Sequence, residues 1–152
     1  MDRHQLLKRL DRAWSEFKQS YTGLTDSQLM EPGVTGEWSV KDILAHVTTW
    51  EEEALKQLPI ILKGGKPPRY LTYGGIHAFN AQMTVQKQGF SLSKVVTQLD
   101  ETHRRLIDFV ANIPRDQFLR ETRFRRRLRL DTYSHYPKHA SAIQKWRDER
   151  GV

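Results

Sequence analysis

The stretch SVKDILAHVTTWEEEALKQLPIIL, residues 39–62, decides the fold, because it is the strongest amphipathic helix in the chain. Its apolar residues recur at steps of three and four, which is the period of one helix face. These residues are Val40, Ile43, Leu44, Val47, Trp50, Ala54, Leu58, Ile61 and Leu62. Ser39 and Asp42 predict a capping box at its start, and Gly64 favours a stop after it. Pro59 is expected to bend the last turn or to end the regular helix early.

The same helical period recurs on both sides of this helix. It covers about residues 3–22, 92–113 and 129–149, and a glycine- and proline-rich loop at 64–75 precedes a shorter apolar repeat. Four long amphipathic helices predict an all-α four-helix bundle, a single domain over residues 1–152. The connection between the second and third long helices is long enough to cross the bundle. The expected core contains Trp14, Phe17, Leu44, Val47, Leu99, Leu106 and Ile143.

The composition excludes several classes of protein. Hydrophobic residues make up 38% and charged residues 28% of the chain, as in ordinary globular domains. No apolar run approaches the roughly 20 residues of a membrane-spanning helix, so we expect neither a secretory signal nor a membrane anchor. The chain has no cysteine, which excludes disulfides, Cys-ligated zinc, iron–sulfur clusters and a thiol nucleophile of its own. The reducing cytoplasm is therefore the expected compartment.

The positive charge is concentrated in RETRFRRRLR, residues 120–129, where six of ten residues are arginine. We interpret this segment as a solvated connecting loop. An alternative is a non-catalytic bundle that uses it to bind a ligand or the phosphates of nucleic acid. The segment has no stacking aromatic residue except Phe124 and no reading motif, so sequence-specific nucleic-acid binding is not expected. A third interpretation is that Arg125 and Arg127 hold an anionic substrate.

Two histidines, His135 and His139, lie one turn apart at the centre of the apolar stripe of the last predicted helix. A buried neutral imidazole still has one donor and one acceptor to satisfy. The i, i+4 spacing lets two ring nitrogens converge on one metal ion, and His46, on the flank of its own helix face, offers a third ligand. The alternative is a pair of core histidines hydrogen-bonded to Tyr, Thr or backbone oxygen. The residues by themselves leave both interpretations open.

The remaining histidines and a proline qualify that picture. His4 and His77 point away from the apolar stripes of their helices and are expected to be solvated. His103 lies within the apolar face of the third long helix and is interpreted mainly as a core residue. Pro137, between the paired histidines, indicates either a kink in the last helix or its first turn.

Two stretches resemble the DinB-like superfamily. GEWSVKDILAHVTTWEEE, residues 36–53, is similar to its second helix, where a tryptophan-rich lead-in precedes an inward histidine. TYSHYPKHASAIQKW, residues 132–146, is similar to its last helix, which carries a His-x-x-x-His pair. Between them, FNAQM and SLSKVVTQLDETHRRLIDFVANIP, within residues 79–114, look most like the ClbS/DfsB branch.

The resemblance implies an up-down-down-up bundle in which His46, His135 and His139 hold a divalent metal, nickel or zinc. It further implies a metal-dependent hydrolase or thiol S-transferase that acts on a small, reactive, electrophilic molecule, with an external low-molecular-weight thiol in the second case. Trp50 and Tyr136 are expected near the ligands, Trp50 binding substrate and Tyr136 donating a proton. Homodimers are common among such bundles, and the oligomeric state and the substrate stay open.

Overall fold

Four long helices form the bundle in the computed structural model, which describes residues 1–152. The helices are α1 Arg3–Ser20, α2 Asp26–Leu29, α3 Val40–Leu62, α4 Ile76–Lys87, α5 Leu92–Ala111, α6 Arg123–Asp131 and α7 Tyr136–Arg150, with 3-10 turns at Tyr70–Tyr73 and Arg115–Gln117. There is no β-strand, and an isolated bridge joins Thr35 to Trp38. The predicted all-α four-helix bundle is confirmed, with α1, α3, α5 and α7 as its long helices.

The helix contacts explain the long crossover. α3 packs along α5, and α1 packs along α7. Residues 63–91 run from the end of α3 to the start of α5 and contain α4, which packs against α3. Every residue expected in the core is buried between these helices. None of the helices combines the length and the apolar character that crossing a membrane requires.

The start of α3 follows the sequence, but its end does not. The Asp42 amide donates to Ser39 Oγ at 3.1 Å and the Ser39 amide donates to Asp42 Oδ2 at 3.0 Å, which confirms the capping box. The expectation of an early end at Pro59 is wrong, because regular helix continues through it to Leu62. A proline removes one backbone donor, and burial of the apolar face of α3 outweighs that loss.

The continuous helix predicted over residues 129–149 is also wrong. The chain leaves helix at Asp131, makes a tight turn in which the Tyr136 amide donates to the Thr132 carbonyl at 2.8 Å, and re-enters helix at Tyr136. Pro137 lies in the first turn of α7, where its missing N–H has no intrahelical partner to lose. Because of this break, α6 and α7 are separate helices and need not share one axis.

The arginine-rich segment is mostly helix rather than the expected loop. Phe124 and Leu128 are fully buried, and α6 packs against α3. Arg123 and Arg126 are exposed on its other side. Two apolar residues at i and i+4 are therefore enough to anchor a helix whose remaining side chains are mainly cationic.

Candidate metal centre and cleft

Three histidine side chains meet where α3 faces the start of α7; we call them the histidine centre. His46 projects from the second turn of α3, His135 is the residue directly before α7, and His139 follows one turn later. His135 Nε2 lies 3.1 Å from His46 Nε2 and 3.0 Å from His139 Nε2. One potential ligand atom from each residue lies within 4.8 Å of the other two. The indole of Trp38 packs against the His46 ring at 4.7 Å between centroids and restricts its orientation.

Burial keeps these imidazoles neutral. It lowers the pKa of His46 to about 3 and that of His135 to about 2, with the charge of the neighbouring histidines adding to the effect. Burial and nearby Lys138 lower the pKa of His139 to about 4. Neutral imidazole is the form that coordinates a metal.

The hydrogen-bonding capacity of the centre fits a metal better than a closed polar core. A neutral imidazole nitrogen carries either one N–H or one lone pair, so His135 Nε2 cannot bond to both neighbouring nitrogens. Two nitrogens that bind one zinc ion at about 2.0–2.1 Å in tetrahedral geometry lie about 3.3 Å apart. The observed separations of 3.0 and 3.1 Å are close to that value. Because the donor set is three neutral imidazoles, the residues fit a divalent zinc or nickel ion.

A cleft of about 370 Å³ opens beside His46 and His135. Its other lining residues are Trp50, Tyr70, Ile76, Asn80, Arg127, Leu130, Asp131 and Lys138. The Trp50 indole donates to Asn80 Oδ1 at 2.9 Å, which fixes the ring as a wall of the cleft. Trp50 therefore lies where the sequence placed it, next to the histidines.

Arg127 lies in the same cleft. Its Nε donates to Asp131 Oδ2 at 2.7 Å and its Nη2 donates to the Tyr70 hydroxyl at 2.7 Å, so the guanidinium is held in one orientation. Burial raises the pKa of Asp131 to about 6, although the charge of Arg127 opposes the rise.

The structure does not bring Arg125 or Tyr136 to the cleft. Arg125 Nη1 donates to the Phe118 carbonyl at 3.3 Å, and the side chain lies outside the cleft lining. Tyr136 is fully buried, because adjacent residues diverge by about 100° around a helix and His135 takes the cleft side. Burial raises the pKa of the Tyr136 hydroxyl well above its usual value, with Glu51 adding to the rise.

Tyr136 instead belongs to a second polar cluster, the Glu51 network. Glu51 Oε1 accepts a hydrogen bond from the Tyr136 hydroxyl at 2.5 Å and lies 2.9 Å from His103 Nδ1. The His103 ring stacks on Trp14 at 3.6 Å between centroids. His103 is therefore a core residue, separate from the histidine centre.

Sequence reasoning missed five residues of these clusters: Glu51, Tyr70, Asn80, Asp131 and Lys138. A signal existed for one of them, since the i, i+4 spacing of Arg127 and Asp131 is that of a helical ion pair once α6 is assigned as helix. Glu51 contacts Tyr136 across 85 positions, and nothing local marks it among three consecutive glutamates.

Comparisons with known proteins agree with this architecture. The family model of the DinB superfamily matches residues 9–140. The structure of the colibactin self-resistance protein ClbS in complex with double-stranded DNA superposes with a TM-score of 0.77 at 16% identity, covering 95% of this chain and 94% of that one. DfsB, described as a sibling lethal factor precursor, gives a TM-score of 0.80 at 13% identity, covering 99% and 97%.

A third similar structure is an uncharacterised protein from Escherichia coli UTI89, with a TM-score of 0.79, 15% identity and coverage of 99% and 95%. A search of curated proteins finds no significant match. Because ClbS is seen in complex with double-stranded DNA, the comparison does not support the expectation that sequence-specific nucleic-acid binding is unlikely. With most of its length matched by the family model and its bundle shared with ClbS and DfsB, the chain belongs to the DinB superfamily.

Proposed function

We propose that this protein is a metal-dependent enzyme that transforms a small electrophilic molecule in the cleft beside the histidine centre. One observation carries the proposal: three neutral imidazole nitrogens converge at a point from which a substrate-sized cleft opens. Three protein ligands are the number found in catalytic zinc sites, whereas structural sites usually have four. The relationship to ClbS, a self-resistance protein, supports a reactive molecule as substrate.

When bound, a zinc or nickel ion would supply Lewis acidity and favour the deprotonated form of water or of a thiol. The chain's own residues would position the substrate. Trp50 presents an aromatic wall, and Arg127 has Nη1 free while its other nitrogens are held by Asp131 and Tyr70. The histidines stay neutral throughout the physiological pH range and therefore remain ligands rather than acids.

The nucleophile distinguishes the two reactions within this proposal. In a hydrolase, water adds to the electrophilic carbon, and its proton leaves with the displaced group. In an S-transferase, a thiol adds in the same way, and it must come from outside because the chain has no cysteine. Dependence on added thiol therefore separates the two.

The test is turnover of a panel of electrophiles containing an epoxide, a β-lactone and an alkyl halide. Zinc- or nickel-loaded protein is assayed by mass spectrometry of the products, with and without a low-molecular-weight thiol. We expect metal-dependent conversion of at least one class, abolished in His135→Ala and retained in His77→Ala, which changes an exposed histidine of α4. Equal conversion by wild type and His135→Ala would contradict the proposal.

Binding of double-stranded DNA is a second candidate function, and the ClbS complex is the observation that favours it. Arg120, Arg123 and Arg126 are exposed along the arginine-rich segment and offer charge to phosphates. No element of this surface carries a base-reading motif, so binding would be insensitive to sequence.

Fluorescence anisotropy with two short duplexes of different sequence tests this candidate. We expect equal affinities that fall steeply between low and moderate salt, and a further loss in the double variant Arg123→Gln with Arg126→Gln. Arg12→Gln, an exposed arginine of α1, is the matched control. Tight, sequence-selective binding at physiological salt would contradict it.

A further inference from the structure

Beyond the cleft, the chain forms a second concavity of about 480 Å³, here called the outer groove. It is lined by Pro67, Pro68, Arg69, Tyr70, Leu71, Gly75, Ile76 and Arg127. We propose that the cleft and the outer groove form one extended site for an elongated anionic molecule, with its charged group at Arg127 and an apolar arm in the outer groove. This inference rests on the proposed function, since it specifies the substrate class of the same cleft.

The two concavities are adjacent. Tyr70, Ile76 and Arg127 line both of them, so the outer groove adjoins the cleft and the two share these side chains as a common side. Each concavity lies within the roughly 300–1,000 Å³ typical of small-molecule sites, and a compact ligand would fill only one. An elongated ligand is therefore the shape that uses both.

Unusually exposed apolar side chains mark the path of the arm. Leu71 is 71% exposed, Leu130 58% and Ile76 53%, and all three line the cleft or the outer groove. Clustered exposure of large apolar side chains is typical of ligand grooves and interaction sites. The side shared by the cleft and the outer groove is preformed, because the Tyr70 hydroxyl donates to Glu53 Oε1 at 3.1 Å and accepts from Arg127 Nη2.

Charge at the junction selects an anion. Arg127 keeps Nη1 free there, and Lys138 and Arg69, each without an ion-pair partner, add two further positive charges to the lining. Asp131 is the acidic residue that lines the cleft, and it is paired with Arg127. A carboxylate or another singly charged acid at the junction would face donors on several sides.

Straight-chain carboxylates from butanoate to decanoate are the probes. Isothermal titration of the metal-free protein should show affinity rising about two- to fourfold with each added methylene and then reaching a plateau when the groove is filled. Primary amides of the same lengths should bind at least tenfold more weakly. The increment per methylene should shrink in Leu71→Ser and persist in Leu119→Ser, whose leucine is 54% exposed but lies outside both concavities.

Three results would overturn the inference: affinity independent of chain length, equal binding of amides and carboxylates, or an equal effect of Leu71→Ser and Leu119→Ser. Sedimentation of wild type as a dimer that Leu71→Ser dissociates would also overturn it, because a second copy would then cover the groove. Failure of the proposed function is distinguishable, since the titration uses metal-free protein and requires neither bound metal nor turnover.

Discussion

The bundle contains two polar clusters that both draw on α3 and α7, the Glu51 network also including His103 of α5, and they differ in how their polar atoms are satisfied. In the Glu51 network, one buried carboxylate oxygen contacts both His103 and Tyr136. In the histidine centre, His135 Nε2 contacts the Nε2 atoms of both His46 and His139, and no carboxylate forms a hydrogen bond with them. In the first cluster Glu51 Oε1 has two partners, although Oε2 of the same carboxylate is buried without one. In the second, His135 Nε2 lies within 3.1 Å of two other ring nitrogens and can form a hydrogen bond to only one of them. The difference supports a structural role for Glu51 and the proposed metal-binding role for the histidines.

The two clusters use different faces of α3 and of the start of α7. His46 and Glu51 both belong to α3, and His135 and Tyr136 are consecutive at the start of α7. Consecutive residues point about 100° apart on a helix, so the break at residues 132–135 directs one side chain into the cleft and the next into the core. The turn at residues 132–135 therefore positions one residue of each cluster.

Removing a partner from each cluster should give the largest contrast. Glu51→Ala leaves the Tyr136 hydroxyl and His103 without their buried acceptor, and we expect a loss of about 3–5 kcal/mol in the free energy of unfolding. His139→Ala in metal-free protein should cost less than about 1 kcal/mol, because its Nε2 contacts another imidazole rather than a charge partner. Urea denaturation with a chelator present measures both.

Glu52→Ala is the control for that experiment, since Glu52 is adjacent but lies in a partly exposed ion pair with Lys87. Its loss should stay below about 1 kcal/mol. If Glu51→Ala were as mild as Glu52→Ala, the Glu51 network would not be the structural cluster described above.

Acid should destabilise the metal-free protein through the histidine centre. The pKa values of His46, His135 and His139 lie below the ordinary value of 6.5, so the unfolded chain binds more protons in this window. Their contribution to stability is therefore complete above pH 6.5 and is lost as the pH falls toward 4.

The measurement is the unfolding free energy of wild type and His139→Gln from pH 7 to pH 4. For each unit by which the pH falls, the unfolding free energy of wild type should decrease by up to about 1.4 kcal/mol more than that of His139→Gln, which is the value for one proton. The raised pKa of Asp131, about 6, acts in the opposite direction but is common to both proteins. Parallel profiles would mean that His139 is not held neutral by the fold.

Tyr136→Phe should have a smaller effect than Glu51→Ala. It removes one hydrogen bond to Glu51 and should cost about 1–2 kcal/mol in stability. Because the hydroxyl does not reach the cleft, metal retention and any turnover per folded molecule should match wild type. A specific loss of turnover at unchanged stability would restore Tyr136 as the proton donor predicted from the sequence.

The helices with wide apolar faces were predictable, because their period fixes which residues enter the core. α3 and the buried residues Leu44, Leu99 and Leu106 followed directly from the pattern. The pairing of His135 with His139 was local as well, since i and i+4 share a helix face. These features depend on neighbours in sequence.

The remaining features depend on distant parts of the chain. The helix α6 has only two buried apolar residues, Phe124 and Leu128, and the arginines around them gave the segment no recognisable apolar period. Tyr70 reaches Arg127 across 57 positions, so a single sequence contains no signal for that contact. Tyr136 was expected beside the histidines, but one step along the helix directs it into the core while His135 faces the cleft.

Metal retention tests the central claim most directly. Wild type, His103→Ala, His135→Ala and His139→Ala are loaded with zinc or nickel, dialysed to equilibrium and analysed for metal by mass spectrometry, while circular dichroism verifies the fold. We predict about one ion per chain in wild type and in His103→Ala, and almost none in the folded His135→Ala and His139→Ala variants. Wild type that retains no zinc or nickel would contradict the account and reduce the histidine centre to three core histidines.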